Sequence, residues 1–216
     1  MIEDRELEVL INEVYENYGY DFSGYSMASF KRRVDRLYQM DGFTNFNAFL
    51  EKVIDDSDYF SRMVEEITVN ITEMFRDPQF YKVLRTEILP VLATKPFIRL
   101  WHAGCSTGEE VYSMAILLKE ANLLQKSLLY ATDISPMVLD VARKGVFPLR
   151  MMKQYSENYI NSGGKEDFSD YYTANYGLAK FGEDLSSKMV FSQHNLVSDR
   201  SFNEFDLILC RNVLIY

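Results

Sequence analysis

The chain has 216 residues, 47% of them hydrophobic, which is enough for one sizeable α/β domain and a smaller appendage. Its formal net charge of −9 argues against nucleic acid as a partner, because non-specific binding draws most of its affinity from cationic contacts to phosphate. No apolar run reaches membrane-spanning length and the acidic start MIEDRELEVL is no signal peptide, so a cytoplasmic protein without direct membrane insertion is expected.

Residues 1–75 read as a small helical domain. Leu7, Leu10, Ile11, Val14, Tyr15 and Tyr18 recur at three and four positions and describe an amphipathic helix that stops near Gly19. A second helix is predicted from Met27 to Met40. A third follows with Thr44 as its candidate cap and carries Phe46, Phe49, Leu50 and Val53; a fourth runs from Tyr59 to Ile67 behind Asp58. The second helix holds Lys31, Arg32, Arg33 and Arg36 in an otherwise acidic chain, and this cluster reads either as a solvated face or as a docking surface for an acidic partner helix.

The junction VNITEMFRDP, 69–78, has neither linker composition nor apolar periodicity. Asp77-Pro78 is a strong helix start, and the helix is expected to run through Tyr81 and Leu84 towards Pro90. Asn70, Thr72 and Arg76 precede it, either as binding groups on a loop or as a capped connector with a surface arginine.

Pro96 to Ala121 is the centre of the chain: an apolar run of strand length, a turn bracketed by Gly104 and Gly108, then a helix. Such a unit presents backbone N–H groups at the carboxyl end of a strand, where open α/β sheets bind nucleotide-like ligands. The dinucleotide fingerprint G-x-G-x-x-G fails, since Ser106 and Glu109 stand where its second and third glycines belong. No P-loop lysine follows the turn either. Glu109 and Glu110 at the helix start favour the helix dipole and repel anions. They are either ordinary first-turn acids or part of a pocket for a nucleoside that carries positive charge, and S-adenosylmethionine is such a ligand. Cys105 in the turn and Cys210 later lack C-x-x-C spacing and read as reduced thiols, while His102 and His194 lack the spaced partners of a metal site, so no metal is expected.

Ser127 to Asp133 reads as a second strand ending in an acid. Asp133 is placed to accept both ribose hydroxyls of a nucleoside, and equally to stabilise the start of the helix that Ser135 and Pro136 open and Gly145 closes. Residues 146–187, rich in Tyr, Ser and Asn, break the alternation and suggest an inserted subdomain with short antiparallel strands, for instance near Asp170 to Thr173, or a cover over the pocket. Met189 to Leu196 and Phe205 to Cys210 are a third and a fourth strand, the fourth apolar enough for a buried parallel strand.

The stretches N-I-T-E-M-F-R-D at 70–77, A-G-C-S-T-G-E-E at 103–110, A-T-D-I-S at 131–135, H-N-L at 194–196 and C-R-N-V-L-I-Y at 210–216 together resemble the CheR chemotaxis receptor methyltransferases. The resemblance covers essentially the whole chain. It implies a helical domain at 1–75 followed by a Rossmann-like methyltransferase domain at 76–216 with its insert at about 146–187. It also implies transfer of a methyl group from S-adenosylmethionine, leaving S-adenosylhomocysteine, to glutamate side chains on the cytoplasmic helices of methyl-accepting chemoreceptors. Carried over residue by residue, it implies cofactor contacts from Asn70, Thr72, Arg76, Glu110, Asp133, Asn195, Leu196, Arg211 and Asn212. It further implies that Arg76 and Tyr216 lie near the transferred methyl group and that Arg32, Arg33 and Arg36 face the receptor.

The chemistry agrees with this. A glutamate carboxylate, with a reference pKa of about 4.3, is already ionised at neutral pH, so no general base is needed and alignment is the main task. The family's sheet has seven strands whereas this sequence supplies about four, so the chain is expected to be an incomplete methyltransferase domain. That keeps open a second reading, a signalling module that binds cofactor or a partner without turnover. Gly163-Gly164 is the insert's only glycine pair, which weakens the case for peptide tethering. Met74 stands where relatives commonly carry an aromatic residue. A nucleic-acid or amine methyltransferase is expected to show an Asp- or Asn-Pro-Pro-aromatic turn after the fourth strand, and here Arg211-Asn212-Val213 follows it.

Overall fold

The computed structural model describes residues 2–67 and 72–213. The chain forms two compact units. One comprises Met1–Asn70, His194–Arg200 and Arg211–Tyr216; the other comprises Ile71–Gln193 and Ser201–Cys210.

The first unit is built on α1 (Asp4–Tyr18), α2 (Met27–Met40), α3 (Phe46–Asp55) and α4 (Ser57–Ile67). Helix α1 opens with a reciprocal Glu3/Glu6 capping box and ends at Gly19, whose φ of 72° is left-handed and whose N–H closes on the Tyr15 carbonyl. Its Leu7, Leu10 and Val14 join Phe30, Val34 and Leu37 of α2, Phe49 and Val53 of α3, and Met63 and Val64 of α4 in the buried set. Each such side chain contributes roughly 1.5–3 kcal/mol. Two caps lie one or two residues away from the expected positions. Asn45, not Thr44, caps α3 by accepting from the Asn47 N–H, and Asp56, not Asp58, accepts the Asp58 and Tyr59 N–H groups at the start of α4.

The second unit is an α/β fold. Helix α5 (Pro78–Val83) passes through a π-helical turn, Leu84–Ile88, into α6 (Leu89–Ala93), so the chain stays helical past Pro90 instead of stopping there. Proline at 90 has no N–H to give, and the wider turn adjusts to the gap, with the Leu89 N–H reaching five residues back to Leu84. Strand β1 (Ile98–Ala103) leads to α7 (Glu109–Glu120), β2 (Ser127–Asp133) and α8 (Pro136–Lys144). The 146–187 segment contains β3 (Val146–Pro148), α9 (Met152–Asn161), β4 (Tyr172–Asn175), β5 (Leu178–Phe181) and α10 (Glu183–Ser186). Strands β6 (Met189–Gln193) and β7 (Leu207–Leu209) end the series.

The main sheet runs β6-β2-β1-β7, all parallel, while β3, β5 and β4 form a separate antiparallel sheet. In chain order the main sheet reads third, second, first, fourth strand, so its direction of growth reverses beside β1. Open α/β sheets bind ligands outside the carboxyl ends of the strands at such a reversal. Helix α7 is buried over nearly its whole length, Val111 to Leu118, and rings from the antiparallel sheet, Phe147 and Phe181, pack on its Tyr112. Among the described residues strand β7 lies at the edge of the main sheet, with Ile208 52% exposed. Asp206 fastens its start by accepting the Arg99 N–H at 2.9 Å and by donating its own N–H to the Arg99 carbonyl. Among the described residues no helix is long and apolar enough to cross a membrane.

Candidate cofactor site

The site grows from the parallel pairing of β1 with β2, which brings Ala103 beside Thr132. At that point the chain leaves β1 and turns sharply. Gly104 and Cys105 both donate to the Thr132 carbonyl at 2.8 Å, and Gly104, Ser106 and Gly108 take left-handed φ values of 74°, 49° and 97°. A Cβ on Gly108 would stand 2.9 Å from the Ala142 Cβ, so glycine is required both by the backbone and by the approach of α8.

Asp133 sits at the end of β2 and is buried. One carboxylate oxygen accepts the Ser106 N–H at 2.8 Å and the other the Ser135 N–H at 3.1 Å. Burial pushes its pKa above the usual aspartate value, with the backbone N–H groups of Ser135, Ser106 and Ile134 acting in the opposite direction. Both roles expected of Asp133 are therefore compatible. It ties the turn to the start of α8, and a carboxylate offers about four acceptor positions, of which the Ser106, Ser135 and Ile134 N–H groups use a part.

The two first-turn acids of α7 differ in environment. Glu109 is buried, its pKa raised by that burial, and it is held by the Thr107 hydroxyl at 2.6 Å and the Tyr155 hydroxyl at 3.4 Å. Glu110 is partly exposed and lies 2.9 Å from Nδ1 of the fully buried His102. The sequence singled out His102 only as a poor metal ligand. Its pairing with Glu110 depends on β1 and α7 meeting across the turn, which spacing alone does not reveal. Burial and the neighbouring Asp133 push the Cys105 thiol well up, so it stays protonated and is no nucleophile.

The Ser106 hydroxyl and His102 Nε2 are shielded from solvent and have no hydrogen-bond partner among the described residues. With two carboxylates, two hydroxyls and no cation from Gly104 to Glu110, the residues present fit a nucleoside that carries positive charge and would repel a pyrophosphate.

Thr72 and Arg76 also belong to the α/β unit, both half-buried, on an arm whose backbone departs from common geometry. Phe75 has φ 52° and Asp77 φ 59°, and Asp77 makes no side-chain capping bond. For a bulky residue such as Phe75 the left-handed conformation costs about 1–2 kcal/mol. The arm is held by the Ser113 hydroxyl, which accepts the Phe75 N–H at 3.0 Å, and by Asn158 of α9, which donates to the Met74 carbonyl at 3.0 Å. The buried Phe75 ring packs on Tyr81, Tyr159 and Phe168. Neither the strain nor Asn158 left a signal in the sequence.

Asn195, Leu196, Arg211 and Asn212 fall in the segments grouped with the helical unit. Asn195 organises its own turn, its N–H donating to Asp199 and its side-chain oxygen accepting the Val197 N–H, while its buried Nδ2 has no partner among the described residues. Asn212 is exposed with φ 57°. Asn70 and Tyr216 lie outside the described residues. On α2, Arg32 and Arg36 are exposed and border a shallow groove of about 580 Å³, whereas Arg33 donates to the Ile67 carbonyl at 2.7 Å.

Fold and site together define an α/β domain for S-adenosylmethionine, preceded by an all-helical domain. Residues 70–216 match the family described as CheR methyltransferase, SAM binding domain, and residues 5–68 match the CheR methyltransferase all-alpha domain. The chain is 47% identical to Cher3 of Pseudomonas putida over 99% of its own length and 78% of that protein. It is 34% identical to a chemotaxis protein methyltransferase of Borreliella burgdorferi, covering 98% of the chain and 77% of the relative. A protein of the same name from Listeria monocytogenes is 30% identical over 100% and 81%. The chain belongs to the CheR methyltransferase family, and S-adenosylmethionine is the methyl donor of its SAM-binding domain.

Proposed function

We propose that this protein is a protein-glutamate O-methyltransferase that esterifies glutamate side chains on the cytoplasmic helices of methyl-accepting chemoreceptors, in chemotaxis adaptation or related signalling. The observation that carries the cofactor half of this reading is Asp133, a buried carboxylate at the carboxyl end of β2 with acceptor capacity remaining beside a cation-free glycine turn. The names of the Borreliella and Listeria relatives support the chemotaxis half.

In this reading Asp133 accepts the ribose hydroxyls, and Glu110, braced by His102, faces the positively charged end of the cofactor. Thr72, Asn195, Leu196, Arg211 and Asn212, with Asn70, complete the contacts. When bound, S-adenosylmethionine supplies a methyl group activated by its sulfonium. The glutamate substrate is ionised at neutral pH and needs no base. Arg76 and Tyr216 orient that carboxylate; too close an ion pair would blunt it, so Arg76 positions more than it neutralises. The helical domain presents Arg32 and Arg36 to the acidic receptor helices, with Arg33 beside them holding the Ile67 carbonyl, and the α/β domain carries the transfer chemistry with its insert at 146–187.

The test is transfer of labelled methyl from S-adenosylmethionine to a purified chemoreceptor cytoplasmic fragment, followed by treatment with base. A carboxyl ester releases its label as methanol, whereas N- or S-methyl groups retain it. Base-labile label on glutamate supports the proposal. Base-stable label, or none on any receptor fragment, rejects it. The alternative is a chain that binds cofactor without turnover. Cofactor binding with no transfer would select that reading.

A further inference from the structure

The arm before α5 holds its chain in an unfavourable conformation, and one of its backbone tethers comes from the inserted segment 146–187. Asn158 is buried on α9. Its side-chain oxygen accepts from Gln154 Nε2 at 3.0 Å, and its Nδ2 donates to the Met74 carbonyl at 3.0 Å. The orientation of the amide is fixed chemically, since a carbonyl can only accept and so the NH2 must face Met74.

Met74 is followed by Phe75, whose left-handed φ of 52° is the least comfortable for a bulky residue, and then by Arg76. A residue in that conformation reverses the direction in which the next side chain leaves the backbone. Relaxation of Phe75 to a right-handed or extended conformation would therefore turn Arg76 away. Two hydrogen bonds fix the peptide that leads into Phe75 from both sides: Asn158 donates to its Met74 carbonyl and the Ser113 hydroxyl accepts its Phe75 N–H. The second is relayed into α7, because the Ser113 hydroxyl donates to the Glu109 carbonyl at 2.7 Å. Strain of this kind persists only where surrounding contacts over-determine it.

We propose that Asn158 is a positioning residue for the methyl-transfer site, acting through the Met74 carbonyl to keep Phe75 left-handed and Arg76 directed at the cofactor. The inference rests on the reading of Arg76 as a cofactor-contacting residue. It gives the inserted segment a part in organising the site, beyond that of a separate appendage.

The test is a double-mutant cycle in the 216-residue chain, with wild type, Asn158→Leu, Arg76→Ala and the double variant titrated with S-adenosylhomocysteine by calorimetry. Leucine keeps the branched shape of asparagine, at a larger volume, and removes the donor. Asn158→Leu is expected to weaken binding about tenfold on its own and not at all in the Arg76→Ala background, because residues acting through one another are non-additive. Hydrogen exchange at the Phe75 amide should accelerate in the same variant without cofactor present. Equal losses in both backgrounds would mean general damage to the fold and would overturn the inference. Wild-type affinity in Asn158→Leu beside weakened Arg76→Ala would overturn it while leaving the reading of Arg76 intact, and wild-type affinity in Arg76→Ala would overturn both. Thermal unfolding monitors integrity; if Asn158→Leu does not fold, Ser113→Ala, which releases the other tether, enters the cycle with the same expectations.

Discussion

Replacing Asp133 by asparagine changes one oxygen to an NH2 and little else in shape. The wild-type carboxylate accepts the Ser106 N–H on one oxygen and the Ser135 N–H on the other. The amide has a single oxygen, so whichever way it flips, one backbone N–H faces another donor. Hydrogen bonds to an ionised group contribute about 1.5–3 kcal/mol, and removing a charge whose burial is unfavourable returns part of that. A loss of stability of about 1–2 kcal/mol is expected from urea denaturation. The ligand suffers more. Two ribose hydroxyls that would donate to a carboxylate meet one oxygen already held by a backbone N–H, a loss of about 2 kcal/mol or roughly thirtyfold in affinity. Calorimetric titration with S-adenosylmethionine measures it. A folded Asp133→Asn protein that binds as tightly as wild type would refute the ribose role and leave Asp133 as a turn residue only.

Gly108→Ala combines a left-handed φ of 97° with a contact of 2.9 Å to the Ala142 Cβ and is expected to cost about 2–3 kcal/mol in urea denaturation, with a parallel loss of cofactor affinity; unchanged stability would show that the turn relaxes freely. Cofactor affinity should be flat near neutral pH and fall on acidification as Asp133 takes up a proton, the fall starting at a higher pH than an ordinary aspartate allows because burial raises its pKa. Titrations across pH check this, and Asp133→Asn should abolish that component. The stability signs of two acids are opposite. Asp133, with its folded pKa raised, loses stabilisation as pH rises from its unfolded to its folded value. Asp206, with its folded pKa lowered by the Arg99 N–H and then by Lys95, contributes above its unfolded pKa and loses that contribution as pH falls through the folded one. Asp206→Ala should therefore destabilise by about 1 kcal/mol at neutral pH, Lys95 being half exposed, and by progressively less in acid; a constant penalty would contradict the assignment.

Where periodicity is strong and bounded by glycine or proline, the sequence was close to sufficient: α2 spans Met27–Met40 and β2 spans Ser127–Asp133, as read from the residues alone. Local chemistry was less decisive. Thr44 and Asn45 are both good caps, and only the path of the chain into α3 selects Asn45. Pro90 signals a stop, yet a π turn absorbs it. The segment 146–187 was legible as an insert with short antiparallel strands near Asp170 to Thr173, which β4 bears out, but its helix α9 and its packing were not. Its small sheet and α9 are held by aromatic contacts between residues far apart in the chain, with Phe168 packing on Phe75, Tyr159 and Phe181 at once. Residues that find their partners in this way need no regular period.

The same division holds at the candidate site. Glu110 and Asp133 stood out because each ends or begins an element at a position with few other uses. His102 and Asn158 did not, since the first gains its meaning from Glu110 across a turn and the second from a carbonyl far away in sequence.

The central claim is that the carboxyl ends of β1 and β2 bind a nucleoside with a positively charged tail and not one bearing phosphates. The most direct measurement is calorimetric titration of the folded chain with S-adenosylmethionine, S-adenosylhomocysteine, ATP and NAD side by side. The account predicts saturable binding of the first two, weakened in Asp133→Asn, and no binding of the phosphate-bearing pair. Binding of ATP or NAD at comparable affinity, or no heat from either S-adenosyl compound, would contradict it.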